Sequence, residues 1–120
     1  MEAITTQVLN RFSALCAIPR PSGGEAAVTA YLTKLLTEAG YAPETDGTNN
    51  LRCALPGTAG CTGAPGVILQ AHTDMVCVAA PGSDYRPGQD AIHTVNDGLY
   101  LRSDGRSTLG ADNGMGAALM

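Results

Sequence analysis

With 120 residues, 44% of them apolar, the chain has the size and composition of one small globular domain, and a disordered segment is excluded. Its net charge of −4 and its single lysine, Lys34, leave no basic stripe to neutralise phosphates, so nucleic acid is excluded as a partner. No apolar run approaches the ~20 residues of a membrane span, and Met1-Glu2-Ala3-Ile4 lacks the basic start and apolar stretch of a secretion signal, so no membrane partner and a cytoplasmic location are expected.

Ile4, Val8, Phe12, Leu15 and Cys16 recur at helical spacing and predict an amphipathic helix from about residue 4 to 17, ended by Ile18-Pro19-Arg20-Pro21. A second helix follows. Ser22 and Glu25 fit a capping box; Val28, Tyr31, Leu32, Leu35, Leu36 and Ala39 form one apolar face, and Gly40 supplies a left-handed stop. Tyr41 to Glu44 and Leu51 to Leu55 are short strand candidates around the turn Thr45-Asp46-Gly47-Thr48. Residues 56–65 are glycine- and proline-rich and predict a surface loop leading into Val67-Ile68-Leu69, an apolar run that reads as a buried strand. Residues 79–89 are loop-like, and Ile92 to Val95 and Leu99 to Arg102 flank a second hairpin turn, Asn96-Asp97-Gly98. After a turn region at 103–108, the stretch from Asn113 to Met120 resembles the first turns of a helix. The four cysteines, Cys16, Cys53, Cys61 and Cys77, show no Cys-x-x-Cys spacing and read as small apolar fillers.

The chemistry concentrates at two places. His72 lies at the carboxyl end of the predicted strand, where ligands bind in open α/β sheets. His72 and Asp74 stand at i and i+2, on one face of extended backbone, so the carboxylate can hold one imidazole nitrogen and leave the other for a metal. The same pattern also suits a strand-end histidine that merely bonds its neighbour. Asp112 is the second place, at a junction into a helix beside Asn113 and Gly114, where a carboxylate can be a stiff ligand or an ordinary helix cap. His93, in a hairpin with polar neighbours, reads as solvated, and Asp97-Gly98 and Asp104-Gly105 read as turns rather than as a calcium loop.

Ser22-Gly23-Gly24-Glu25 opening a helix, Leu69-Gln70-Ala71-His72-Thr73-Asp74-Met75-Val76, Asp97-Gly98, and Thr108-Leu109-Gly110-Ala111-Asp112-Asn113-Gly114-Met115-Gly116 follow one another in an order that spans nearly the whole chain. Together they resemble the aminoacyl-histidine dipeptidases, also called cytosolic non-specific dipeptidases, a branch of the co-catalytic zinc exopeptidases. The resemblance implies an α/β fold, the amino-terminal part of a zinc-exopeptidase catalytic domain with a mixed sheet flanked by helices. It implies His72 as a ligand of one Zn2+, Asp74 as the catalytic carboxylate that orients its imidazole, and Asp112 as the carboxylate bridging two Zn2+ ions, with Mn2+ or Co2+ as alternatives. The implied substrate is a dipeptide, of the Xaa-His type within a broad specificity, and whether the parent forms a homodimer is left open by the sequence.

In that family a glutamate general base, an adjacent glutamate ligand, a further aspartate and a late histidine follow the bridging aspartate, whereas only Asn113 to Met120 follow Asp112 here. The expectation is therefore a partial catalytic domain over residues 1–120, truncated within a helix after Asp112, lacking the lid domain, inactive alone and holding metal weakly or not at all. Two other assignments compete with it: another zinc exopeptidase of the same superfamily, such as a tripeptidase or aminoacylase, and a non-enzymatic α/β interaction module. A phosphate site at Ser22-Gly23-Gly24 is a distant third, because the lysine and full glycine pattern of a P-loop are missing.

Overall fold

The apolar spacing of the first segment produces helix α1, Glu2–Cys16, which buries Val8, Phe12, Leu15 and Cys16 along one stripe. Ile4, expected on that stripe, is exposed. The computed structural model describes residues 2–120. They fall into two compact units, one made of the chain up to Val28 together with Gln70–Met120, the other of Thr29–Leu69. The elements are three helices and two small antiparallel sheets, an α/β arrangement, and among the described residues no helix is long and apolar enough to cross a membrane.

In the first unit, α1 packs against helix α3, Ala111–Leu119, whose buried face is Gly114 and Ala118. Val28, Met75, Tyr85 and Ile92 complete the core, together with the side chain of Arg20, which is only 1% exposed. Two strands, β3 at Thr94–Asn96 and β4 at Leu101–Ser103, form an antiparallel hairpin in which Asn96 faces Leu101. The turn is one residue longer than the three expected, because Asp97 Oδ1 accepts from the amides of both Leu99 and Tyr100 and draws Tyr100 into the loop. The irregular segments are tied to one another by single contacts instead of long ladders. A parallel bridge joins Pro21 to Met75 and an antiparallel one joins Ala79 to Ser107.

The helix α2, Ala26–Glu38, starts later than a capping box at Ser22 would place it. Glu25 does reach back, but to the Gly23 amide at 2.7 Å, while the Ser22 hydroxyl donates to the Asp74 carboxylate, a charge-assisted bond stronger than one to a neutral group. The stop is as the sequence predicts. Gly40 adopts φ 88°, and the Tyr41 amide donates to the Leu36 carbonyl in the six-to-one bond of a Schellman end.

In the second unit, strands β1, Glu44–Thr45, and β2, Leu51–Arg52, form an antiparallel hairpin about the expected turn. Asp46 holds that turn, taking hydrogen bonds from the Thr48 and Asn50 amides, the Thr48 hydroxyl and the Asn50 side chain. The predicted buried strand Val67–Leu69 is not one. Those three side chains are 84%, 91% and 71% exposed, and among the described residues no strand pairs with them. An apolar, β-branched run specifies an affinity for a sheet, but a strand exists only where a neighbour supplies the ladder.

Two outcomes follow from this packing. A Cβ at Gly114 would stand 2.6 Å from Arg20 Nη2 and 2.9 Å from Phe12 Cε2, both fully buried, whereas one at Gly63 would meet nothing within 4 Å. Gly114→Ala is expected to cost about 1–3 kcal/mol by overpacking, against no measurable loss for Gly63→Ala, by denaturant unfolding. The Asp46 carboxyl is pulled down to about 2 by its bonds from Asn50 and Thr48. Its folded value lies below the unfolded value of about 3.9, so its stabilisation is complete above roughly pH 4 and is lost as pH falls through about 2. Amide resonances of Thr48 and Asn50 should report that loss, and Asp46→Asn should remove the dependence.

Candidate metal-binding site

Three connections bring distant parts of the chain to one place. Arg20 O accepts the Met75 amide at 3.0 Å, which fixes the segment carrying His72 and Asp74 against the end of α1. Thr108 then clasps the strand-like segment that follows: its hydroxyl donates to Val76 O at 2.7 Å, and its amide to Val78 O at 3.1 Å. The packing of α3 on α1 sets the third edge and carries Asp112 in.

At their meeting point, His72 and Asp112, forty positions apart, face each other. His72 Nε2 stands 3.1 Å from Asp112 Oδ1, and His72 Nδ1 stands 2.9 Å from Asp74 Oδ1 and 3.1 Å from Asp74 O. The other Asp74 oxygen accepts from the Ser22 hydroxyl. The four residues thus form one row, Ser22 to Asp74 to His72 to Asp112, with the imidazole half exposed and the Asp112 side chain 96% exposed. Sequence reasoning placed Ser22 at a helix cap and missed this role. The Ser-x-x-Glu signal marked the right residue, but its destination lies 52 positions away.

Both imidazole nitrogens point at carboxylate oxygens. A neutral imidazole has one N–H, so one of the two contacts would set a lone pair against a lone pair. A proton on the ring lets both nitrogens donate; with a neutral ring, the exposed Asp112 carboxylate is the one free to turn toward water. The bond to Asp112 raises the His72 pKa above its ordinary 6.5, with slight burial opposing and Asp74 adding to it. The Asp74 carboxyl is held below its ordinary 3.8, chiefly by the Ser22 hydroxyl and then by His72.

The competing use of Asp112, as a helix cap, is taken by its neighbour. Asp112 and Asn113 have non-helical backbone angles, the peptide between them is cis, and regular helix begins beyond them. Asn113 Oδ1 accepts the Gly116 amide at 3.1 Å, the bond of a cap to the third helical residue. The Asp112 carboxylate is left to face His72.

The donor set fits a metal ion. Two ligands each about 2.0–2.2 Å from a tetrahedral ion stand about 3.4 Å apart, so an ion between His72 Nε2 and Asp112 Oδ1 needs an opening of a few tenths of an ångström. Asp74 on the far nitrogen is the partner that metal-binding histidines use to fix ring orientation and tautomer. The set is also short. Among the described residues no three His, Cys, Asp or Glu side chains gather where one ion could touch them all.

Beneath the row lies Arg20. Its Nη1 donates to Thr73 O at 2.9 Å and reaches toward Asp74 O at 3.4 Å, and its Nη2 donates to Gly110 O at 2.9 Å. Its Nε is buried and has no partner among the described residues, and burial lowers the guanidinium pKa, with Cys16, Cys77 and Asp74 opposing.

No protein-family model matches the chain. It is 36% identical over 107 residues to the cytosol non-specific dipeptidase of Escherichia coli (strain K12), an alignment covering 89% of this chain and 22% of that protein. In three dimensions it is similar to the crystal structure of the aminoacylhistidine dipeptidase from Vibrio alginolyticus, with a TM-score of 0.86 and 38% identity over 93% of this chain and 23% of that one. The chain therefore spans less than a quarter of the length of the relatives it matches.

The division of labour between adjacent residues can be measured. Asn113→Ala should cost about 1 kcal/mol of stability through the lost cap, while Asp112→Ala should leave the denaturation midpoint of the metal-free protein nearly unchanged. A large loss with Asp112→Ala would return that residue to a structural role.

Proposed function

Since the chain is a homologue, over the segment it shares with them, of dipeptidases, we propose that it contributes half of a dinuclear zinc site that hydrolyses dipeptides, Xaa-His dipeptides among them, in the cytoplasm. The observation that carries this is the imidazole set between two carboxylates, with Nε2 and Asp112 Oδ1 3.1 Å apart and Nδ1 held by Asp74. In this reading His72 is a ligand of one ion, Asp112 is a ligand shared by both, and Asp74 holds the His72 tautomer. Zn2+ is the first choice for an imidazole and carboxylate donor set, with Mn2+ or Co2+ as alternatives.

When bound, two such ions would polarise the scissile carbonyl and acidify a water for attack on the amide. The residues themselves do the preparatory work. Asp74 holds a proton on Nδ1, which leaves the Nε2 lone pair for coordination and makes it more basic. Ser22 donates to the remaining Asp74 oxygen, so that carboxylate cannot swing away from the ring. The exposed Asp112 side chain offers one oxygen toward His72, and its second makes no hydrogen bond among the described residues. Because the site supplies two direct ligands and no third His, Cys, Asp or Glu joins them among the described residues, the 120-residue chain alone should bind zinc weakly and turn over no dipeptide.

The test is zinc-dependent hydrolysis of alanyl-histidine and β-alanyl-histidine by the protein expressed from its complete reading frame. Turnover should vanish on chelation and in His72→Ala or Asp112→Ala, and should fall about 10–100-fold in Asp74→Ala. Zinc-independent turnover, or turnover untouched by His72→Ala, would refute the assignment, as would a protein that takes up no zinc. Robust hydrolysis by the 120-residue chain would refute the claim that its groups are insufficient.

A further inference from the structure

A buried arginine without a carboxylate partner needs a reason, because desolvating its charge is costly unless strong acceptors replace the lost water. Arg20 is 1% exposed, and among the described residues no carboxylate is paired with it. Its acceptors are all backbone carbonyls, and their positions are not arbitrary. Thr73 lies between His72 and Asp74, and Gly110 lies two residues before Asp112.

The cavity around the guanidinium is shaped by glycine on both sides of Asp112. A Cβ at Gly110 would come within 2.9 Å of Arg20 Nη2, and one at Gly114 within 2.6 Å. Gly110 also holds φ 72°, a left-handed conformation that glycine adopts without strain. The chain thus omits side chains at two positions, each two residues from Asp112, where they would crowd the guanidinium, and at Gly110 also the Met75 sulfur at 2.5 Å. An apolar core residue could fill the volume, but it would leave the Thr73 carbonyl without the only donor it has among the described residues. A lysine could reach one carbonyl or the other. A planar fork with two terminal nitrogens reaches both.

We infer that Arg20 is a positioning residue that joins the His72–Asp74 segment to the Gly110–Asp112 segment through their backbone carbonyls, and so sets the separation of the two metal-binding side chains. This rests on the metal reading proposed above, and the experiment separates the two. The reporters are two amides close to the clasp: Met75 N–H, which donates to Arg20 O at 3.0 Å, and Gly114 N–H, which donates to Gly110 O at 3.2 Å. Neither bond is made by the Arg20 side chain, so each reports whether its segment stays in place.

Hydrogen exchange at those amides and zinc affinity by calorimetry are to be measured on the protein expressed from its complete reading frame, for wild type, Arg20→Lys and Arg20→Met. In Arg20→Met the two amides should exchange at least tenfold faster while amides in the middle of α1 keep their protection, and zinc should bind at least tenfold more weakly; Arg20→Lys should fall between. If Arg20 only fills the core, Arg20→Met will lower the melting temperature yet leave zinc affinity within twofold and the exchange of the two amides no faster than that of α1, and the inference fails. Should Arg20→Met not fold, Arg20→Lys decides between the same outcomes. Zinc uptake absent from wild type would remove the metal reading alone, and the exchange comparison would still accept or reject the clasp.

Discussion

An imidazole flanked on both sides by carboxylates is short of one positive charge, and much of this molecule can be understood as holding that shortage in place. His72 cannot satisfy Asp74 and Asp112 together as a neutral ring. As a cationic ring it donates to both, and the bond to Asp112 favours that form by raising the imidazole's pKa.

What holds the shortage in place is not a sheet. Among the described residues the segments that carry the site lack the long ladders that make strands rigid, and their order comes from side chains that bond to backbone or to one another. Thr108 takes one carbonyl, Arg20 takes two on different segments, and Ser22 fixes the far oxygen of Asp74. Each such bond contributes on the order of 1 kcal/mol, more where a charge is involved. Several acting on neighbouring residues can define a position that none would define alone.

How much of this could be read from the chain depends on how local each cause is. Helix α1, the glycine stop at Gly40 and both hairpin turns follow from spacings of a few residues, and they appear close to where the spacing puts them. The pairing of His72 with Asp74 is equally local, since an i, i+2 relation needs only extended backbone. The approach of Asp112 is not local. Periodicity marked it only as a junction residue, and the resemblance to known dipeptidases was what joined it to His72. Arg20 carried no signal, because an arginine between two prolines looks like solvent-exposed loop. Ser22 was marked for the wrong job, since a serine that can cap a helix can also donate to a carboxylate, and which acceptor is nearer depends on the fold. Val67-Ile68-Leu69 shows the reverse failure: its composition states a preference, and the preference goes unmet where no neighbouring strand is supplied.

That last segment has a colloidal consequence. Three consecutive residues with bare apolar side chains, followed by uncharged Gln70 and Ala71, make no backbone hydrogen bond among the described residues, and such open amide and carbonyl groups recruit a second strand. A stretch of this kind favours self-association as concentration rises, and it lies outside the row of site residues.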